Sequence, residues 1–390
     1  MKQKERSLHK WGLGISSCLL IASAVACTVV RIGMEDHGDL FQQMAAQTAL
    51  PSGNYQYKPA AAPSPGQSET DTSAPKKSTP AIGNDTHVGE KNPQPDTSSV
   101  KQESGFVYHT PTDAELQQYD AQHEGEEQYP VLEFTSIQGS EAFEGIQVKN
   151  ISSAELDIEE ELSGKLGFAI EKNGEPQVLI YHTHTSESFL PFDTGYYYES
   201  FYPRSADRTQ NVCAIGEEIV KVLNQNGIKA IHDMTVHDDP SYNEAYDRSY
   251  ETVMKNIQKY PSIKVAIDIH RDGLGSEYQR SKPVCMVDGK KAAQFMILAG
   301  YNYADDPDFA DWEYNLRFAL QIQKNAVEMY PDLARPLDFG DFTYNMDVNT
   351  GSLLIEVGAD SNSIEEVRYT GYLLGNVLLR TLNGTTGGNE

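Results

Sequence analysis

A chain of 390 residues can build one or two domains with sizeable cores, yet only 39% of it is hydrophobic, so part of it is expected to stay unfolded. The formal net charge of −26 excludes nucleic acid as a partner, because binding that backbone needs clustered Lys and Arg. Any polyanionic substrate would be held by local contacts rather than by the overall field.

The first ten residues are basic, with Lys2, Lys4, Arg6 and Lys10. The next segment, residues 11–30, contains no charged residue. At ~1.5 Å rise per residue it spans about 30 Å, the hydrocarbon thickness of a bilayer, and reads as a transmembrane anchor. The basic flank stays in the cytoplasm, which places everything after Arg31 outside. Ala24-Val25-Ala26 is the rival pattern, an A-x-A site at which a signal peptide would be cut. Residues 31–104 form an extracytoplasmic linker, rich in Pro, Ser, Thr, Gln and Lys from about Leu50 onward and too polar to fold. A coil of some fifty residues holds the next domain about 40 Å from the membrane on average. Residues 105–175 are acidic with short apolar pieces, a lead-in or small subdomain.

From Pro176 strands and helices alternate. Strand Val178–Thr183 precedes a polar, aromatic loop that carries Tyr196–Tyr198, Phe201 and Tyr202, either packed or forming a wall for sugar faces. The spacing of apolar residues then predicts a helix over Asn211–Asn226, ended by Gly227. Strand Ile228–Asp233, helix Tyr250–Lys259 and strand Ile263–His270 follow. Val284–Val287 and Ala293–Ala299 read as strands across the turn Asp288-Gly289-Lys290. Helix Trp312–Met329, strand Leu353–Val357 and helix Ile364–Thr381 complete residues 176–384. This alternation implies an α/β fold with a mainly parallel sheet and helices on both faces. The four cysteines are too few for a disulfide framework, and Cys213 and Cys285, in VCAI and VCMV, read as buried free thiols.

Chemistry gathers where apolar strands end. VLIY runs into His182, His184 and Glu187; IKVAID runs into His270, Arg271 and Asp272; SLLIEVG carries Glu356. Ligand-type side chains at the carboxyl ends of three strands can converge on one point. A hydrolytic zinc site takes three His, Asp or Glu ligands and leaves the fourth position to water. His182 and His270 are the leading pair, with Glu187 as third ligand and His184 as its alternative. Asp268 and Asp272 flank His270 and are candidates to hold its imidazole. Glu356 interrupts an apolar strand, which suits a general base. His232 and His237 read as loop polar residues. Ser186 and Ser188 lack the G-x-S-x-G setting of a serine nucleophile.

YHTHTSESF, RT-x-NV-x-x-x-GEEI, HDDPSYNEAYDRS, YPSIKVAIDIHRD and GSLLIEVG-x-x-x-N-x-x-EE, in this order from about Pro176 to the C-terminus, closely resemble the stage II sporulation protein P family. The resemblance implies a zinc-dependent N-acetylmuramoyl-L-alanine amidase that also cuts peptide crosslinks. It implies action on septal peptidoglycan during engulfment beside sporulation proteins D, a lytic transglycosylase, and M, a membrane protein. The fold implied is that of zinc-dependent cell-wall amidases, with His182 and His270 as zinc ligands and Glu356 as catalytic glutamate. Amidases in general take a glutamate ligand from the start of the helix after the first strand, where this chain has Arg208-Thr209-Gln210-Asn211 without a carboxylate. Glu187 is the substitute. Arg271 or Arg208 is then expected to pair with stem-peptide carboxylates or the oxyanion.

Overall fold

The computed structural model describes residues 105–385. The basic flank, the anchor segment 11–30 and the linker through residue 104 lie outside the described residues. Among the described residues, no helix is long and apolar enough to cross a membrane.

In chain order the elements are α1 (Asp113–Gln122), β1 (Gln128–Phe134), β2 (Glu141–Phe143), β3 (Ile146–Asn150), α2 (Ile158–Ser163), β4 (Val178–Tyr181) and β5 (Tyr196–Tyr198). Then come α3 (Cys213–Gln225), β6 (Ala230–His232), α4 (Ala245–Lys259), β7 (Val265–Asp272), β8 (Gly275–Ser276), β9 (Gln279–Val287), β10 (Lys290–Ala293) and β11 (Phe295–Gly300). The last are α5 (Trp312–Met329), β12 (Leu337–Gly340), β13 (Ser352–Ala359) and α6 (Ile364–Asn383).

The main sheet has eight strands in the order β2-β3-β12-β11-β13-β7-β4-β6. It is mainly parallel, as expected; β2–β3 and β11–β13 are its antiparallel pairs. Alternation along the central strands sorts side chains between two faces. Val178 and Ile180 of β4, Val265, Ile267 and Ile269 of β7, and Leu353, Ile355 and Val357 of β13 join one core with α3, α5 and α6. Leu179 and Tyr181 of β4 and Ala266 of β7 face the other way, against Val253 of α4. Helix α6 starts with a capping box, the Ser363 hydroxyl on the Glu366 N–H and the Glu366 carboxylate on the Ser363 N–H. Its Gly371 lets α3 come close, since a Cβ there would stand 2.8 Å from the Ile215 carbonyl oxygen.

A smaller sheet, β10-β9-β1-β5 with β8 beside β9, lies apart from this path. The acidic stretch 105–175 is woven into both sheets rather than standing as a subdomain: β1 pairs with β9, and β2 and β3 extend the main sheet beside β12. The expected strand Ala293–Ala299 is two strands. β10 closes the hairpin on β9, the buried Gln294 amide bonds to Ser136 and Asp332, and β11 then enters the main sheet. Helix α4 begins five residues before the expected Tyr250.

Lys282 of β9 is buried, its Nζ 2.6 Å from Asp193, 2.7 Å from Glu366 and 3.3 Å from Glu133. Glu366 is itself fully buried. Lys282→Met strips that carboxylate of its cation and is expected to cost about 3–5 kcal/mol in equilibrium urea denaturation. Adding Glu366→Gln should recover much of the loss. An unchanged midpoint in the single variant would refute this account of the network.

Candidate functional site

The face that carries α4 also carries the site. Asp268 and His270, even-numbered on β7, point to that face, and register places Glu356 of β13 beside His270 on the same side. After Tyr181 the chain leaves β4 and turns. The Thr183 N–H and hydroxyl donate to Asp268 at 2.8 and 2.5 Å, and the Thr185 hydroxyl donates to the His182 and Thr235 carbonyls. This turn carries His184 and Glu187 over the strand ends. The ligand atoms of His184, Glu187 and His270 all lie within 4.8 Å of one another.

The three side chains are buried, and each has support. His270 sets Nδ1 3.5 Å from Glu187 Oε2 and Nε2 2.9 Å from Asp268 Oδ1. Glu187 Oε2 accepts from the Arg271 backbone N–H at 3.3 Å, and the Arg271 guanidinium lies 3.9 Å from Glu187 Oε1. That guanidinium donates to the Pro203 and Asp272 carbonyls, so Arg271 steadies Glu187 and is itself buried. Asp272 is held by Arg335. The Tyr242 ring lies 4.0 Å from His184 between centroids, and Tyr246 stacks on His270 at 6.3 Å. Arg204 sits over Tyr242 and pairs with Asp238 at 2.9 Å.

Electrostatics follow from this packing. Burial pushes His184 well below its ordinary value and keeps it neutral. Burial also opposes charge on His270, but Asp268 and Glu187 outweigh it and raise that imidazole well above its usual range. For Glu187, burial is overcome by Arg271 and His270, which hold the carboxyl low. Burial and then Asp272 raise Glu356 well above the carboxylate range. His184 Nδ1 and Glu356 Oε2 are out of solvent and have no hydrogen-bond partner, whereas His270 Nε2 is engaged by Asp268. His184 has an unpartnered buried nitrogen, and the two-histidine, one-carboxylate set whose ligand atoms lie within 4.8 Å of one another fits a hydrolytic zinc ion.

His182 is not in this cluster. It continues the even-numbered face of β4, the α3 side, with its Nδ1–H donated to the Ile269 carbonyl at 2.9 Å. Its Nε2 meets His232 Nε2 at 2.8 Å, so His232 is a partner of His182 and not a plain loop residue. Burial and then His232 bring His182 down to about 3, and burial brings His232 down to about 4. The structure therefore pairs His270 with His184, the alternative ligand, and with Glu187. Arg208 is also on the α3 side, its guanidinium donating to the Met234 carbonyl. His237 is scaffold, bonded to the His182 carbonyl and the Thr252 hydroxyl. Tyr196–Tyr198 are packed: Tyr197 and Tyr198 are buried, and the Tyr196 and Tyr198 hydroxyls bind Asp120. Tyr242 and Tyr246 had no periodic signal; only the block HDDPSYNEAYDRS marks them.

A family model described as Stage II sporulation protein P (SpoIIP) matches residues 47–379. The chain belongs to the SpoIIP family. The stage II sporulation protein P of Bacillus subtilis (strain 168) is 27% identical to this SpoIIP-family chain over 204 residues, 49% of the chain and 47% of the relative. The chain thus spans about half the length of that curated relative. Among solved structures, the N-acetylmuramoyl-L-alanine amidase AmiC2 of Nostoc punctiforme is 12% identical, with 55% of this chain and 98% of that chain covered and a TM-score of 0.32. The CwlD amidase of Clostridioides difficile, in complex with the GerS lipoprotein, is 14% identical, covering 53% and 99%, with a TM-score of 0.30. At such TM-scores these likenesses carry no weight for what the SpoIIP-family chain does.

Proposed function

We propose that this SpoIIP-family chain is a zinc-dependent peptidoglycan hydrolase, an N-acetylmuramoyl-L-alanine amidase that also cuts peptide crosslinks. In this reading it degrades septal wall during sporulation engulfment, beside sporulation proteins D and M. Residues 11–30 hold it in the cell membrane at the forespore septum, with the catalytic part outside. The observation that carries the reading is the meeting of His184, Glu187 and His270 beside Glu356 in a chain of this family.

His184, Glu187 and His270 are the residues that hold the zinc, with Asp268 behind His270 and Arg271 behind Glu187. Zinc bound there supplies Lewis acidity toward the scissile amide carbonyl and eases deprotonation of water. Glu356 takes the proton of the attacking water on Oε2, the atom without a partner, and returns it to the leaving nitrogen. Tyr242 and Tyr246 cover the imidazoles and keep bulk water from them.

Purified wall digested with the protein and read by mass spectrometry is expected to yield stem peptides with free L-alanine amino groups and intact glycan strands. Products cut only at crosslinks would replace the amidase reading with a metallopeptidase. Wall binding without any cleavage would leave a scaffold.

A further inference from the structure

We propose that the opposite face of the sheet holds a second zinc site, made by His182, His232 and Cys213. Ligand atoms of these three residues lie within 4.8 Å of one another. They come from three places: the residue just after β4, the end of β6 and the first residue of α3. Because His182 Nδ1 donates its proton to the Ile269 carbonyl, the lone pair of this imidazole is on Nε2, the atom turned to His232. Cys213 is fixed by its backbone N–H, which donates to Asn211 Oδ1 at 3.0 Å, and is buried. Gly216, one turn along α3, keeps the space clear. A Cβ there would stand 2.5 Å from His232 Nε2 and 3.1 Å from His182 Nε2.

A single proton can bridge two Nε2 atoms at 2.8 Å. Zinc with bonds of about 2.0–2.1 Å to each nitrogen sets them roughly 3.3 Å apart at the tetrahedral angle, an opening of about half an ångström. One thiolate with two imidazoles selects zinc over the hard cations magnesium and calcium. Cys213 also lines a cleft of about 690 Å³ with Arg208, Glu217 and Met234, which gives the ion a way in. The site ties α3 to the strands. It also stiffens the floor of the first site, since His182 leans on Ile269, the neighbour of His270.

Sulfur separates the two sites, because His184, Glu187 and His270 offer only nitrogen and oxygen. The full chain, with Cys18→Ser and Cys27→Ser to remove other thiols, is stripped by chelation and titrated with cobalt(II); Cys285 is buried in the main core. Two equivalents are expected, together with a near-ultraviolet thiolate-to-cobalt charge-transfer band. Cys213→Ser should lose the band and one equivalent, His232→Gln should weaken both, and Glu187→Gln should lose the other equivalent while keeping the band. Circular dichroism checks that each variant is folded. A folded parent that binds one equivalent without the band, or a folded Cys213→Ser that still binds two, overturns the site. A folded parent that binds one equivalent with the band, unchanged by Glu187→Gln, would count against the catalytic reading and leave this one standing.

Discussion

Glu356→Gln is expected to keep the catalytic metal while wall hydrolysis falls by on the order of 10²–10⁴, the usual size of a general acid–base contribution. The amide preserves shape and hydrogen bonding but cannot accept the water proton. Register places Glu356 beside His270, and its Oε2 is buried without a partner, which is the position a base needs. Turnover near wild type would move the base elsewhere, and Asp272, already engaged by Arg335, would have to be tested next. The same variant carries a pH test. In the metal-free protein, burial and Asp272 raise the folded pKa of Glu356 above its ordinary 4.5. A raised folded value gives stability that is present below the unfolded pKa and lost as pH rises through the folded one. Metal-free wild type should therefore weaken as pH climbs from about 4.5 toward neutrality, and metal-free Glu356→Gln should be spared that loss and melt higher at pH 7. Identical pH profiles of melting temperature would show that Glu356 is not desolvated as described.

His270→Ala is expected to empty the catalytic site and to lower hydrolysis by roughly 10³-fold or more, since several kcal/mol of transition-state stabilisation go with the metal. His184→Ala and Glu187→Gln should behave alike, because the three donors close one site. His182→Ala should spare the catalytic metal and affect hydrolysis far less, since His182 lies on the other face against Ile269 and His232. Metal analysis coupled to the wall-digestion assay reads both quantities. If His182→Ala emptied the catalytic site and His184→Ala did not, the ligand set would be wrong.

Much of this could be read in order along the chain. The apolar runs before His182, His270 and Glu356 fixed three central strands and the ends at which polar residues collect. Helical spacing placed α3, α5 and α6 within a few residues, and a family resemblance rested on five blocks of unbroken sequence. These are local properties, set by the period of side chains along a strand or helix and by the composition of each block. Short strands such as β2, β5 and β12 were not legible, because three or four residues hold too little pattern and they exist only through their partners.

The choice between His182 and His184 belonged to the tertiary structure. Two residues apart, they would share a face if β4 ran on, and nothing in VLIYHTHTSES says that the strand stops at Tyr181. It stops because Asp268, which is 85 residues away, captures the N–H and hydroxyl of Thr183 and turns the chain. The register of β4 on β7, Tyr181 beside Asp268, then leaves His182 next to Ile269 on the α3 side and carries His184 over to His270. Sequence determines which residues alternate along a strand; which strand lies beside it, in what register, and where the chain turns away depend on contacts between distant residues.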